Sequence, residues 1–510
     1  MNEVPAMAGK LSKSKLQSFF QCPKKLWLEL NRSDLQETSE MATLILQRGI
    51  KFGDAVRECF PGGILIDETR PADALELTRK RMHSFAAGHE RVPLFEAAFA
   101  YNNVTIRADI LEPAPDGEWT LIEVKSSVSK DGDAPRHQYV RDAAIQAYVL
   151  EHCDVPLAAI ELGQPDRDFS LPANGDINGI LKRVDVTSMA RSIADEFEHS
   201  ITEALEIVNQ DAEPSRQIGP WCNKPHNCGF INHCSGATVR SGEKILIPIW
   251  DLAGEPTSRV VSALMGAGYR DLADVPKERL KKTMHKVMHT IARGADPYID
   301  PALIAHLRKQ PFPRYFLDYE TNNAPLPLWY GTRPGERVEF QFSLHKWTSE
   351  DGPIEHVTFL AETFEDPRPT LARKLADAME ELGPVYAWNG KSTEGPITEG
   401  LIHYCPEKRD TLRRVADSCK ENDPIKIFRE TFYHPAMKGN WGLKAIAKSM
   451  FSISPYSLLA IANGVDAMRG YELFLKLPEG EGRDSLRQAL LEYCSTDTKV
   501  MIDIWQKLVN

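Results

Sequence analysis

The stretch at 315–321, YFLDYET, runs from large apolar residues into Asp318, Tyr319 and Glu320. Residues i and i+2 of a strand share a face. Two carboxylates held that way repel each other unless water reaches them or a cation sits between them. Other acids have the same character. Asp109 interrupts the apolar run IRADIL, and Glu123 stands two residues before Lys125 in LIEVKSS. Glu123 and Lys125 therefore point to one side, and a neighbouring strand can bring Asp109 beside them. Asp and Glu offer hard oxygen ligands to a divalent cation. Such a cation acidifies water and offsets charge developing on a phosphate. A lysine beside them can orient a nucleophile or neutralise the phosphate. Taken alone, E-x-K reads first as a surface salt bridge.

The cysteines form a third group. There are nine, and three fall in CNKPHNCGFINHC (222–234). A reducing compartment disfavours disulfides, so this clustering asks for another explanation.

The elements that must position these residues can be sketched from pattern. Residues 10–60 look helical, broken by PGG at 61–63. FEAAFAYNNVTIRADILEP and WTLIEVKSSV read as short strands joined by the turn APDGE. RHQYVRDAAIQAYVLEHC (136–153) reads as a helix, and GYRDLADVPKERLKK (268–282) as a helical connector. A new strand starts at PFPRYFLDYE, and strands and helices alternate from there to the C-terminus. The expected division is 10–240, a connector over 241–310, and 311–510.

The 510 residues allow two to four domains. No apolar run reaches the ~18 residues of a membrane span, and the start has no signal-peptide core, so a cytoplasmic protein is expected. The net charge of −11 argues against general nucleic-acid coating, but not against a nucleic-acid enzyme whose acids hold metal ions. The basic strips KERLKKTMHK (277–286) and RKRMH (79–83) read as solvated helix faces.

The N-terminal pattern resembles the RecB-like branch of the PD-(D/E)XK nucleases. The matching parts are Asp109, the turn PAPDGE, Glu123-Val-Lys125, and Gln146 on the following helix. The resemblance implies a metal held by Asp109 and Glu123. Asp54 and Glu58, in RGIKFGDAVREC (48–59), are the candidates for a further ligand. Tyr148 falls off the family's spacing and is not carried over. This branch often opens with a helix ending in Cys-Pro, here LSKSKLQSFFQCP with Cys22. Some members add three later cysteines that complete a [4Fe–4S] site, and Cys222, Cys228 and Cys234 match in order. Structural zinc, with His226 or His233 available, is the alternative. Cys59, Cys153, Cys405, Cys419 and Cys494 read as small core residues.

The C-terminal segments resemble the DnaQ-like, or DEDD, 3′–5′ exonucleases on an RNase H-like fold. Asp318 and Glu320 match the first motif. VYAWNGKSTEGPI (385–397) matches the second, with Glu394 where that family has Asp. LLEYCSTDTKVMIDIW (490–505) matches the last, with Asp497 and Tyr493 at i−4, sharing a helix face. NWGLKAIAK (440–448) lies between. Four carboxylates of this kind imply two Mg²⁺ or Mn²⁺ ions ~4 Å apart, with Tyr493 orienting water. Asp417 and Asp423 are further acids left outside the set.

The chain thus resembles a bacterial family that fuses these two domains, an α/β protein throughout. The implied function is a metal-dependent DNA nuclease with two sites, in repair or anti-phage defence. An RNA-processing exonuclease and a non-catalytic nucleic-acid-binding scaffold are the alternatives. LMGAGYRDLADVP (264–276) faintly suggests a helix-hairpin-helix, against a plain packing element. Protein partners are not legible.

Overall fold

The structure is a computed structural model that describes residues 10–128, 134–235, 247–253 and 259–510. Parts of the expected connector, 241–246 and 254–258, and the leading residues 1–9 lie outside these. The protein is mixed α/β, and its chain divides into two compact units. The first takes 1–234 with 324–327 and 331–335; the second takes 235–323, 328–330 and 336–510.

In the first unit the strands are β1 (Leu11–Ser12), β2 (Ile64–Leu65), β3 (Leu94–Tyr101), β4 (Val104–Pro113), β5 (Trp119–Val124), β6 (Leu157–Pro165) and β7 (Leu181–Asp185). They form one sheet in the order β2-β3-β4-β5-β6-β7, with β1 added beside β4. The helices are α1 (Lys13–Gln21), α2 (Pro23–Asn31), α3 (Glu40–Glu58), α4 (Pro71–Ala86), α5 (His137–Glu151), α6 (Thr187–Ala194), α7 (Phe197–Val208) and α8 (Ile231–Ser235). Helix α5 is the spine of the main core: Val140, Ala143, Ala144, Ile145, Ala147, Val149 and Leu150 are all buried. Helix α1 starts at Ser12, whose hydroxyl accepts from the Lys15 N–H at 3.3 Å. It stops at Cys22 because Pro23 forces the preceding residue into extended backbone (φ −166°, ψ 118°), and Pro23 then opens α2.

The second unit begins with α9 (Arg259–Gly266), α10 (Thr283–Ala292) and α11 (Pro301–Arg308). The segment 268–282, expected to be helical, instead makes two 3₁₀ turns, Leu272–Asp274 and Lys277–Arg279. Pro276 supplies no N–H, and it holds Val275 extended. Leu272, Val275 and Leu280 are buried in a small core of their own. The helix-hairpin-helix reading therefore meets α9 and then these turns, with no second α-helix before α10 at Thr283.

The central sheet of this unit has four strands: β9 (Arg314–Asn322), β10 (Val338–Trp347), β11 (Ile354–Leu360) and β12 (Val385–Tyr386). The order is β11-β10-β9-β12; β9 runs antiparallel to β10 and parallel to β12. A two-stranded sheet pairs β8 (Tyr298–Ile299) with β13 (Phe432–Tyr433). The remaining helices are α12 (Arg368–Ala378), α13 (Glu394–Leu401), α14 (Arg409–Glu421), α15 (Pro424–Thr431), α16 (Leu443–Met450), α17 (Gly464–Phe474) and α18 (Glu481–Val509). Alternation along β9 separates two cores. Tyr315, Leu317 and Tyr319 pack toward α12–α14, and Phe316 packs with Trp505 of α18. Asp318 and Glu320 share the parity of Phe316, so they face α18. One buried stripe of α18 runs Leu490, Tyr493, Cys494, Asp497, Thr498, Met501, Ile504, Trp505, Leu508, a period of three to four, and Val500 and Ile502 are buried beside it. Three of its positions carry polar groups where that period calls for apolar ones.

Candidate functional site

The structure brings sequence-nominated residues together in three places, two in the first unit and one in the second.

In the first unit β4 and β5 pair antiparallel through Ile110–Ile122. One step further, the Asp109 carboxylate takes the Val124 N–H at 2.8 Å. Glu123 is buried and surrounded. Lys125 Nζ donates to it at 2.7 Å, Lys13 Nζ donates to its two oxygens at 3.0 and 3.1 Å, and Gln146 Nε2 donates to Oε2. Lys125 also donates to Asp142 at 2.5 Å. Asp142 lies one helical turn before Gln146 on α5, so both reach one face. Burial opposes ionisation of Glu123, but Lys125 and Lys13 outweigh it and hold its carboxyl far below the usual range. Asp109 bears the opposite consequence: burial and the Glu123 charge push it up to about 7, against the pull of both lysines. Its side chain still keeps 25% of its surface accessible. It faces a cleft of about 770 Å³ whose lining includes Lys25, Arg57, Lys125, Tyr139, Arg141 and His226.

Asp54 and Glu58 do not join this group. Both are exposed, and Asp54 pairs with Arg57 at 3.0 Å on the outer side of α3. Gly49, Ile50, Gly53 and Arg57 of α3 line the cleft, and neither acid does. The additional acid of the site is Asp142, and the additional cation is Lys13. Asp142 could have been found as the i−4 neighbour of Gln146; nothing local to Lys13 signals its role. Tyr148 lies against Tyr101, His152 and Phe197, as a core residue.

The four cysteines Cys22, Cys222, Cys228 and Cys234 line one small cavity together with Lys24, Lys25 and Arg216. Two strongly placed contacts hold it closed: Gln21 Nε2, at the end of α1, donates to the Trp221 and His226 carbonyls at 2.8 and 2.7 Å. Trp27, Leu28 and Phe230 form a buried patch beneath. Neither histidine lines this cavity. His226 faces the cleft, and His233 is hydrogen-bonded to Glu213 at 3.0 Å. Burial pushes the Cys234 thiol up to about 11, so a cation entering here would have protons to displace.

In the second unit Asp318, Glu320 and Cys494 form a group that could hold a metal ion, with one ligand atom of each within 4.8 Å of the others. Asp497 accepts from Tyr456 Oη at 2.6 Å. Lys444 Nζ donates to Tyr493 Oη at 2.9 Å and to the Ala462 carbonyl at 2.7 Å. Glu394 opens α13, and its Oε2 is buried without a hydrogen-bond partner. Burial, Asp497 and the Glu320 charge raise Asp318 well above the carboxylate range. Burial and Asp497 do the same to Glu320, against Lys444. Glu394 is pushed up to about 8 by burial, with Asp423 adding to it. A set of acids that cannot all ionise together is the electrostatic condition that a divalent cation relieves.

Close packing aims the Glu394 segment. A Cβ on Gly390 would come within 2.1 Å of the Cys419 carbonyl, and one on Gly395 within 2.6 Å of the Gly390 carbonyl. The N-G-K-S-T-E-G run therefore presses directly onto α14. Asp423 caps α15 through the Ile425 N–H at 3.1 Å and takes the Lys391 N–H at 3.2 Å. It thus ties down the loop before Glu394, while Asp417 is exposed on α14. Cys494, expected to be plain core, lies 3.8 Å by its Sγ from Asp318 Oδ2. Tyr456 and Lys444 were missed as well. Lys444 sits inside the quoted NWGLKAIAK, but its aim depends on where α16 packs.

The basic strips are solvated, as expected, but only 79–83 lies on a helix face; 277–282 lies in turns before α10. Arg79 and Lys80 pair with Glu76 on α4, and Lys277, Arg279, Lys281 and Lys282 are exposed. No helix among the described residues is long and apolar enough to cross a membrane.

Among known families, the model for a domain of unknown function (DUF2779) matches residues 315–442. That stretch contains Asp318, Glu320, Glu394 and Asp423, and stops short of Tyr493 and Asp497. No curated protein and no solved structure matches the chain significantly.

Proposed function

We propose that the protein is a divalent-metal-dependent nuclease with two active sites, acting on DNA. The reading takes the first unit as a RecB-like PD-(D/E)XK domain and the second as a DnaQ-like exonuclease domain. The observation that carries it is the meeting of Asp109, Glu123, Lys125 and Gln146 at one end of β4 and β5, on an open cleft. Gln146 reaches Glu123 from a different element, so the pattern is more than a surface E-x-K pair. The acids fit a hard cation, because the Asp109 and Glu123 oxygens already converge on the Lys13 ammonium.

A divalent ion held there by Asp109 and Glu123 would supply acidified water and charge for the phosphate. The chain's own groups do the rest. Gln146 orients Glu123, and Lys125 brings a fixed positive charge to the cleft wall. In the second unit Asp318, Glu320, Glu394 and Asp497 would hold the ions, with Mg²⁺ or Mn²⁺ as the expected species. Lys444 donates to the Tyr493 oxygen, which leaves its hydroxyl hydrogen for an incoming water. The four cysteines would hold a [4Fe–4S] cluster, since four thiols line the cavity; the same set serves a Cys₄ zinc site, and the iron and zinc content of the protein decides between them. Such a cluster would clamp the end of α1 to the 222–234 loop.

The test is cleavage of end-labelled single- and double-stranded DNA and RNA with Mg²⁺, Mn²⁺ or EDTA. Lys125→Ala and Asp318→Ala should each remove a different part of the product pattern. Absence of metal-dependent cleavage on every substrate would overturn the reading.

A further inference from the structure

The two lysines around Glu123 are not equivalent. Lys125 lies two residues along the same strand and is committed to Glu123 and Asp142, at 2.7 and 2.5 Å. Lys13 arrives from the first turn of α1, 110 residues away in sequence. Its Nζ meets both oxygens of Glu123 and stands 4.0 Å from Asp109 Oδ1. It therefore occupies the position between the two acids on which a divalent cation would be centred. Its side chain is 22% exposed, so it has room to withdraw.

The backbone under Lys13 is anchored on both sides. Leu11 and Ser12 pair with Val104 and Thr105 of β4, and Gln21 ties the other end of α1 to the cysteine loop. Only the side chain is then free to leave. Glu123 already accepts from both Lys13 and Lys125, so a divalent ion entering between Asp109 and Glu123 adds two further charges and repels the ammonium standing in its place.

We propose that Lys13 is a resident counter-cation of the first site, which a divalent ion must displace and which then needs an anionic partner, the substrate phosphate. The inference rests on the proposed metal-dependent reading of this site. It makes ion and phosphate binding cooperative: the phosphate accepts the ammonium that the ion expels, and by linkage each tightens the other.

The test is Mn²⁺ binding to the full chain, counted by the electron paramagnetic resonance of free Mn²⁺, in an Asp318→Ala background that disables the second centre. Lys13→Met should bind Mn²⁺ at least about tenfold more tightly than the parent. Lys13→Arg, which keeps the charge, should stay within about twofold. Thymidine monophosphate should tighten Mn²⁺ binding in the parent and not in Lys13→Met. Thermal melting confirms that both variants are folded. Equal Mn²⁺ affinity in the parent and Lys13→Met overturns the proposal. A different result, no Mn²⁺ binding sensitive to Asp109→Asn in either protein, would instead overturn the metal-dependent reading beneath it.

Discussion

Replacing Glu394 with glutamine should stabilise the metal-free protein at alkaline pH while impairing its chemistry. The residue is 7% exposed, and its Oε2 is buried with no hydrogen-bond partner. Burial and the neighbouring Asp423 push it from its ordinary 4.5 up to about 8. The sign follows by linkage. Between those values the unfolded chain has released the proton and the folded chain still holds it, so stability falls as pH rises through this window. Each pH step of one is worth about 1.4 kcal/mol, which sets a ceiling of about 5 kcal/mol. Relaxation and water entry around a buried acid reduce that, and about 2 kcal/mol is a reasonable expectation. Glutamine has nearly the same shape and no charge to bury. Its advantage over wild type should be near zero at pH 5 and reach about 2 kcal/mol by pH 8. Urea unfolding of both proteins in EDTA at several pH values measures this difference. Saturating Mn²⁺ should reverse its sign, because the ion then needs the carboxylate. A stability difference that does not change with pH would refute the reasoning.

The cysteine cavity predicts that anaerobically purified protein is brown, with broad absorption near ~400 nm and about four irons per chain. Cys228→Ser should bleach it, and a colourless protein with stoichiometric zinc would count against the cluster. Cys494 predicts that Cd²⁺ addition produces a thiolate-to-metal ultraviolet absorption band, because its sulfur lies beside Asp318 and soft ions favour thiolate. The band should be smaller in Cys494→Ser, the four clustered cysteines supplying what remains; a band of equal size in both proteins would remove Cys494 from the metal centre.

Much of this arrangement was legible because it is local. An i,i+2 pair on a strand has only one geometry, so Asp318 with Glu320 and Glu123 with Lys125 could be assigned to common faces before any fold was known. The same holds for Tyr493 and Asp497 one helical turn apart, and for Pro23 ending α1 at Cys22. Pattern failed where proline and burial overrode propensity, as at 268–282, where Pro276 and three buried side chains favour turns over a helix. At α3, Asp54 and Glu58 have ligand spacing, yet both are exposed and neither lines the cleft. What the tertiary structure alone decided is which distant groups close each site. Lys13 and Asp142 complete the first, and Lys444, Tyr456 and Cys494 the second. Asp142 and Cys494 have nominated neighbours, Gln146 one turn on and Tyr493 alongside, but nothing near Lys13, Lys444 or Tyr456 in sequence signals a role there. Their roles come from how helices α1, α5, α16 and α18 pack onto the two sheets, and packing is set by the summed fit of many apolar side chains, which no short stretch of sequence encodes.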